Sequence, residues 1–214
     1  MLEREYQYMI FETDQREFES EKERNLYYKF FAGFYFNELI SGYENRVREF
    51  YALLRSPTYQ VGDPPINRLQ SVPSAVFVSF DNHPDRYRGK QSGEFADILI
   101  HDPLNDLLVG IEAKYLDNWE YRKDIVENTE KLEYMGAKLG VTFTQLCLLV
   151  SRSKWDRVVA MEAHHGSNFR RLKEHTGAVS VLLWESLMGL QAVPQAVRSY
   201  VQSQLDHPRL RTLG

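Results

Sequence analysis

A single cysteine, Cys147, stands among 214 residues, so no intrachain disulfide can form and a reducing cytoplasm is the expected setting. Long hydrophobic runs are also missing. The longest nearly uninterrupted apolar and aromatic stretch, Tyr27 to Phe36, spans ten residues and contains Lys29, whereas a membrane-spanning helix needs about twenty. The opening segment, MLEREYQYMIFETDQ, is acidic and lacks the basic, then apolar, then small-residue order of a secretory signal. No internal repeat or low-complexity tract is present. With 43% hydrophobic and 13% aromatic residues, the chain is not of the disordered class. Its length suits one globular domain, which buries roughly 70% of the surface of its unfolded chain. The expectation is a soluble domain with no membrane partner.

An excess of basic charge is absent as well: the formal net charge is −4. Mild acidity does not by itself favour nucleic acid, but the charge is unevenly spread. Residues 94–133 carry eleven acids against four bases. Residues 151–175 carry Arg152, Lys154, Arg157, Arg170, Arg171 and Lys173 against only Asp156, Glu162 and Glu174. An acidic patch beside a basic one is the layout of a cation site next to a phosphate-binding surface, or of two solvated helix faces.

The chain then reads as alternating elements. Residues 21–55 have helical periodicity, with Phe36, Ile40, Tyr43, Val47, Phe50 and Leu54 on one stripe and Gly33 and Gly42 as dividers. Pro57, Pro64, Pro65 and Pro73 punctuate an irregular stretch. Strands are expected at 75–80, 94–101 and 107–114. A helix is expected over 117–139, with Trp119, Val126, Leu132 and Leu139 apolar, followed by a strand over 145–151 and one helix around 155–175. A strand over 179–184 and a helix from about Pro194 complete the order. The apolar late strands read as buried parallel ones, giving an α/β fold with a mixed sheet flanked by helices. The whole chain, 1–214, is taken as one domain. It comprises an aromatic helical region over about 1–56, a core over about 37–151 and an α/β extension over about 152–214.

The informative segment is GEFADILIHDPLNDLLVGIEAKY. Its HDPLND stretch has turn chemistry, which makes the flanking runs a hairpin. If residues 103–106 form the loop, Asp102 opposes Leu107, and the constant sum of paired numbers sets Asp97 opposite Glu112 on one face. Strand alternation adds Phe95, Leu99, Leu108 and Lys114 to that face. Facing carboxylates under partial cover repel unless a cation neutralises them. Lys114 supplies one charge, and Mg²⁺, which takes one or two carboxylates plus waters and phosphate, would supply two. The same residues also suit a solvated edge hairpin or a plain Asp–Lys–Glu cluster.

Asp97 followed by Ile98-Leu99-Ile100, and Glu112-Ala113-Lys114 at the end of an apolar strand, resemble the D…(E/D)-x-K signature of the PD-(D/E)xK nuclease superfamily. Ala96 stands where that motif has proline. The resemblance implies a restriction-endonuclease-like fold, with an α-β-β-β-α-β core and here a C-terminal β-α extension. It also implies Mg²⁺ (Mn²⁺ as a substitute) on Asp97, Glu112 and the Ala113 carbonyl, and Lys114 orienting or helping to deprotonate the attacking water and stabilising negative charge on the phosphate. Many members add an acid from the first core helix, for which Glu44 is the candidate and Glu38 the second choice. The RecB-type branch's Gln-x-x-x-Tyr is not matched, since Tyr134 is preceded at that spacing by Glu130. The implied activity is hydrolysis of phosphodiester bonds, in DNA before RNA. Arg86, Arg88 and Lys90, together with Arg152 and Lys154, are candidate phosphate contacts.

Other signals are weaker. His164, His165 and His175 lack paired cysteines for a zinc site, and Cys147 lies in an apolar strand run. The aromatic cluster Tyr27–Phe36 is read as helix core, with base stacking or a homodimer contact as its other uses. The rival function is a non-catalytic binding or assembly module that keeps the fold. An acid–base hydrolase using Asp97 and Glu112 is a third option, which Lys114 disfavours by holding both carboxylates ionised.

Overall fold

Two apolar faces on every central strand require cover on both sides, and the chain supplies it with helices above and below one mixed sheet. The computed structural model describes residues 28–69, 71–73, 76–80, 96–114 and 119–205. Its strands are β1 (Tyr59–Val61), β2 (Phe77–Phe80), β3 (Ile98–Asp102), β4 (Leu107–Lys114), β5 (Phe143–Val150) and β6 (Val179–Leu183). They lie in the order β1-β6-β5-β4-β3-β2. β2, β3 and β4 form an antiparallel meander, β4, β5 and β6 run parallel, and β1 closes the far edge antiparallel to β6. The α-helices are α1 (Tyr43–Arg55), α2 (Asn128–Leu139), α3 (Arg152–Ala160), α4 (Asn168–Lys173), α5 (Trp184–Met188) and α6 (Gln195–Leu205). π-Helical turns cover Tyr28–Tyr35 and Tyr121–Glu127, the second running directly into α2.

The hairpin register is the one that the turn chemistry implies. Asp102 pairs with Leu107 and Ile98 with Ile111. Asp102 is fully buried; its carboxylate accepts the amides of Leu104 and Asn105 at 3.1 and 3.2 Å and the Tyr51 hydroxyl at 2.7 Å. Asp106 takes a left-handed φ of 53° to finish the turn. A turn tied at both ends leaves no freedom for a one-residue slip, which would exchange the two faces.

Each face has its own core. One holds Ile98, Ile100, Val109, Ile111, Cys147 and Leu149, covered by α1, α5, α6 and the aromatic turn. There Phe30, Phe31, Phe34, Tyr35 and Phe36 are buried, and Phe30 and Phe31 pack on Trp184 at 5.9 and 6.0 Å between ring centroids. These five rings are therefore core, as read, and none of them is left at the surface for a homodimer contact. Cys147 is fully buried, and burial pushes its thiol pKa up. The other face holds Leu99, Leu108, Leu146, Leu148, Val181 and Leu183 beneath Ile125, Leu132, Met135, Trp155 and Phe169.

Several boundaries differ from the sequence reading. β3 starts at Ile98, with Asp97 in a bend; Phe95, Ala75 and Asp117 lie outside the described residues. The proline-rich stretch contains β1 and a 3₁₀ turn, Pro65–Arg68. The helix expected around 155–175 is two, separated where Gly166 adopts φ 76° and Ser167 caps α4 by accepting the Arg170 amide. Leu139 is exposed and Val126 half-buried, because the buried stripe of this region runs through Asp124, Asn128, Leu132 and Met135. Among the described residues no helix is long and apolar enough to cross a membrane.

Candidate active site

β4 ends on the side of the sheet where β3 begins, and where the parallel strands β5 and β6 also end. Ligands of open α/β sheets sit at the carboxyl ends of such strands. Glu112 and Lys114 project from the end of β4 onto the face covered by α2, since Ile111 and Ala113, which alternate with them, belong to the opposite core. Lys114 Nζ lies 2.7 Å from Glu112 Oε1 and 3.3 Å from Asp124 Oδ1. Asn128 Nδ2 donates to Glu112 Oε2 at 3.0 Å and to the Asp124 carbonyl at 3.2 Å. Across the hairpin, Asp97 Oδ2 accepts the Ala113 amide at 2.7 Å. That bond fixes Asp97 beside the end of β4 although the ladder pairing has already stopped.

Local folding explains why these groups meet. Gly110 lies two residues before Glu112 on the same face, and a methyl added there would sit 3.3 Å from both the Ala96 Cβ and a Leu132 methyl. The missing side chain lets α2 come close, and Asn128, one turn before Leu132, then reaches Glu112. Asp124 is held by its own turn: its Oδ2 accepts the Glu120 amide at 2.6 Å. Asn168 on α4 anchors the entry to that turn, donating to the Trp119 carbonyl at 2.8 Å and accepting the Tyr121 amide at 3.2 Å. π-Helical turns of this kind frequently mark functional sites.

The electrostatics follow from burial. Glu112 is 8% exposed. Removal from water raises its pKa, against the opposing pull of Lys114. Burial alone would lower the Lys114 pKa, but Glu112, Asp124 and Asp97 together outweigh it and hold the ammonium above its ordinary value. Three carboxylates around one ammonium leave two negative charges over when all are ionised. Asp124 Oδ1 is buried and receives no hydrogen bond; the Lys114 ammonium is the charge beside it.

Compared with protein-family models, curated proteins and solved structures, the chain matches none. The likeness to PD-(D/E)xK nucleases thus stands on residues and element order alone.

The remaining sequence candidates divide by place. Glu44 is exposed on α1, which packs on the opposite sheet face. Its neighbour Tyr43 bonds with Val76 at the start of β2, whereas Asp97 adjoins the end of β2. Glu38 is exposed in the turn before α1. Neither joins the cluster; Asp124, in the π-helical turn before α2, does. Arg152 and Lys154 open α3 directly after Val150, which pairs with Lys114, so both stand at the site's end of the sheet. Arg86, Arg88 and Lys90 lie outside the described residues, in a connection whose described ends, Phe80 and Ala96, are at that same end. Sequence reading missed Asp124 and Asn128. Their signal was present: polar residues at i and i+4 on the stripe that continues into Leu132 and Gly136.

An all-oxygen, net-negative donor set fits a hard divalent cation. Among the described residues no three acidic, histidine or cysteine side chains converge to hold an ion unaided. Mg²⁺ commonly needs one or two carboxylates and completes its shell with water and substrate phosphate.

Proposed function

We propose that the protein is a Mg²⁺-dependent nuclease that hydrolyses phosphodiester bonds, DNA being the preferred substrate, on a restriction-endonuclease-like variant of the mixed α/β sheet. The observation that carries this reading is a half-buried lysine ammonium held between two carboxylates at the carboxyl end of β4, with a third acid bonded across the hairpin. Asp97 and Glu112, with the Ala113 carbonyl, hold the ion. Bound there, Mg²⁺ makes water more acidic and offsets charge developing on the phosphate. Lys114 acts as a donor and cation toward the attacking water and the phosphate oxygens. Arg152 and Lys154 supply phosphate contacts at the same sheet end, and Arg86, Arg88 and Lys90 are proposed to add to them.

One observation favours a second reading, in which the cluster is structural and the protein a non-catalytic binding module: Lys114 and Asn128 already engage one Glu112 oxygen each. Incubation with labelled single- and double-stranded DNA and RNA, with Mg²⁺ and with EDTA, separates the two. The nuclease reading expects cleavage only with metal. It also expects Lys114→Ala to lower cleavage at least about a hundredfold, with the circular dichroism spectrum unchanged. Full activity in Lys114→Ala, or no cleavage of any substrate, returns the cluster to the structural reading.

A further inference from the structure

Lys114 already neutralises the charge that Glu112 would offer a cation, and the geometry indicates how that engagement yields. Asn128 is held in place by a second bond, to the Asp124 carbonyl, and its amide can keep Oε2 without neutralising the carboxylate. Lys114 is different. It sits 2.7 Å from Glu112 Oε1, and only 3.3 Å away is Asp124 Oδ1, a carboxylate oxygen of a nearly fully buried residue with no hydrogen bond of its own. The other Asp124 oxygen is fixed by the Glu120 amide, so Oδ1 is held toward the lysine. A lysine side chain crosses so small a gap by a minor torsional adjustment, and its charge never leaves the neighbourhood of an anion.

We infer that Asp124 is a positioning residue that receives Lys114: when Glu112 turns an oxygen to a divalent cation, the Lys114 ammonium passes from Glu112 Oε1 to Asp124 Oδ1 and is retained there, beside the substrate phosphate. This rests on the metal-dependent reading of the site. The physical case is one of charge accounting. Without Asp124, a cation arriving at Glu112 would leave the half-buried ammonium only Asp97 and water, and weakening the pairing of such a charge is costly. With Asp124 the displaced charge is matched at once, and two negative charges remain for the divalent ion. Asn128 contributes by keeping Glu112 Oε2 in place throughout.

Mn²⁺ calorimetry on the metal-free protein tests the handover with wild type, Asp124→Asn, Lys114→Met and the double variant. Asp124→Asn is expected to weaken Mn²⁺ binding about tenfold, as loss of a partner of a metal-ligating residue does. Lys114→Met should bind Mn²⁺ at least as tightly as wild type, because the competing ammonium is gone. The decisive comparison is the double-variant cycle: on the Lys114→Met background, Asp124→Asn should change affinity less than twofold. An equal tenfold loss in both backgrounds would overturn the handover and make Asp124 a direct source of charge for the ion. If Asp124→Asn fails to fold, lysine-selective NMR of wild type decides. Titration with Mg²⁺ should shift the Lys114 ammonium resonance while it stays slow to exchange with water; its loss to fast exchange means release to solvent and overturns the inference. Failure of the underlying reading is distinct: wild type would then bind neither ion, and the Lys114 resonance would not respond to Mg²⁺.

Discussion

Glu112 is a carboxylate that the fold keeps from water, and the sign of its titration can be worked out. Its pKa is raised by burial, so the folded protein binds that proton more tightly than the unfolded chain. The resulting stabilisation is complete below the unfolded value and is lost as pH climbs through the folded one. Glutamine does not titrate. In EDTA, wild type should therefore lose stability relative to Glu112→Gln as pH rises through and beyond the ordinary glutamate range, measured by urea unfolding of both proteins. A wild type that gains on the variant over that range would mean that Lys114 overcompensates for burial. At this scale the sequence was informative where strand alternation operates. Glu112 and Lys114 share a face because side chains alternate, and the constant sum of hairpin numbers leads to Asp97 beside them, where its bond to the Ala113 amide holds it past the end of the ladder. Asp124 and Asn128 were not legible in the same way. Their partners depend on how closely α2 approaches β4, which Gly110 decides and local periodicity does not.

Among the elements, α2 and β5 pack so closely that one methyl group separates opposite predictions. Gly136 lies on the buried stripe of α2, and a Cβ there would stand 2.7 Å from the Thr144 Cγ2. Alanine improves helix propensity by about 1 kcal/mol, but overpacking costs about 1–3 kcal/mol. The contact is short enough for the second effect to win, so Gly136→Ala should destabilise by roughly 1 kcal/mol. Thr144→Ser removes only Cγ2; on that background Gly136→Ala should be neutral or stabilising. Thermal unfolding of the four proteins measures this, and an equal cost in both backgrounds would discard the steric account. Element boundaries were legible where a residue punctuates the chain. Asp102 and Asp106 fix the β3–β4 turn by bonds within the turn and by one left-handed residue. They were not legible where only tertiary pairing creates the element. β1 is three residues in a proline-rich stretch, too short for alternation to register, and it exists as a strand because β6 offers Val179 to Val181 as partners.

For the molecule as a whole, a mixed sheet flanked by helices was legible because each apolar run needs cover on two faces, and parallel late strands follow from that need; the added edge strand β1 was not. The charge cluster is where the whole fold bears on function, since a sheet end, two hairpin strands and the α2 region converge there. Three carboxylates against one ammonium make metal-free protein store repulsion that Lys114 offsets only in part. Asp97→Asn removes one charge while keeping the shape, and the amide oxygen can still accept the Ala113 N–H that Asp97 Oδ2 accepts now. Metal-free stability should therefore stay equal or rise. Metal that binds only the folded state stabilises it in proportion to the logarithm of one plus the ratio of free ion to dissociation constant. Wild type should thus gain roughly 1–3 kcal/mol at ion concentrations about 10 to 100 times the dissociation constant, and Asp97→Asn much less. Thermal melts of both proteins in EDTA, Mg²⁺ and Mn²⁺ separate the terms. A strongly destabilised Asp97→Asn in EDTA, together with a wild type indifferent to both ions, would make the cluster a salt-bridged brace of the sheet end. The binding-module reading would then replace the nuclease.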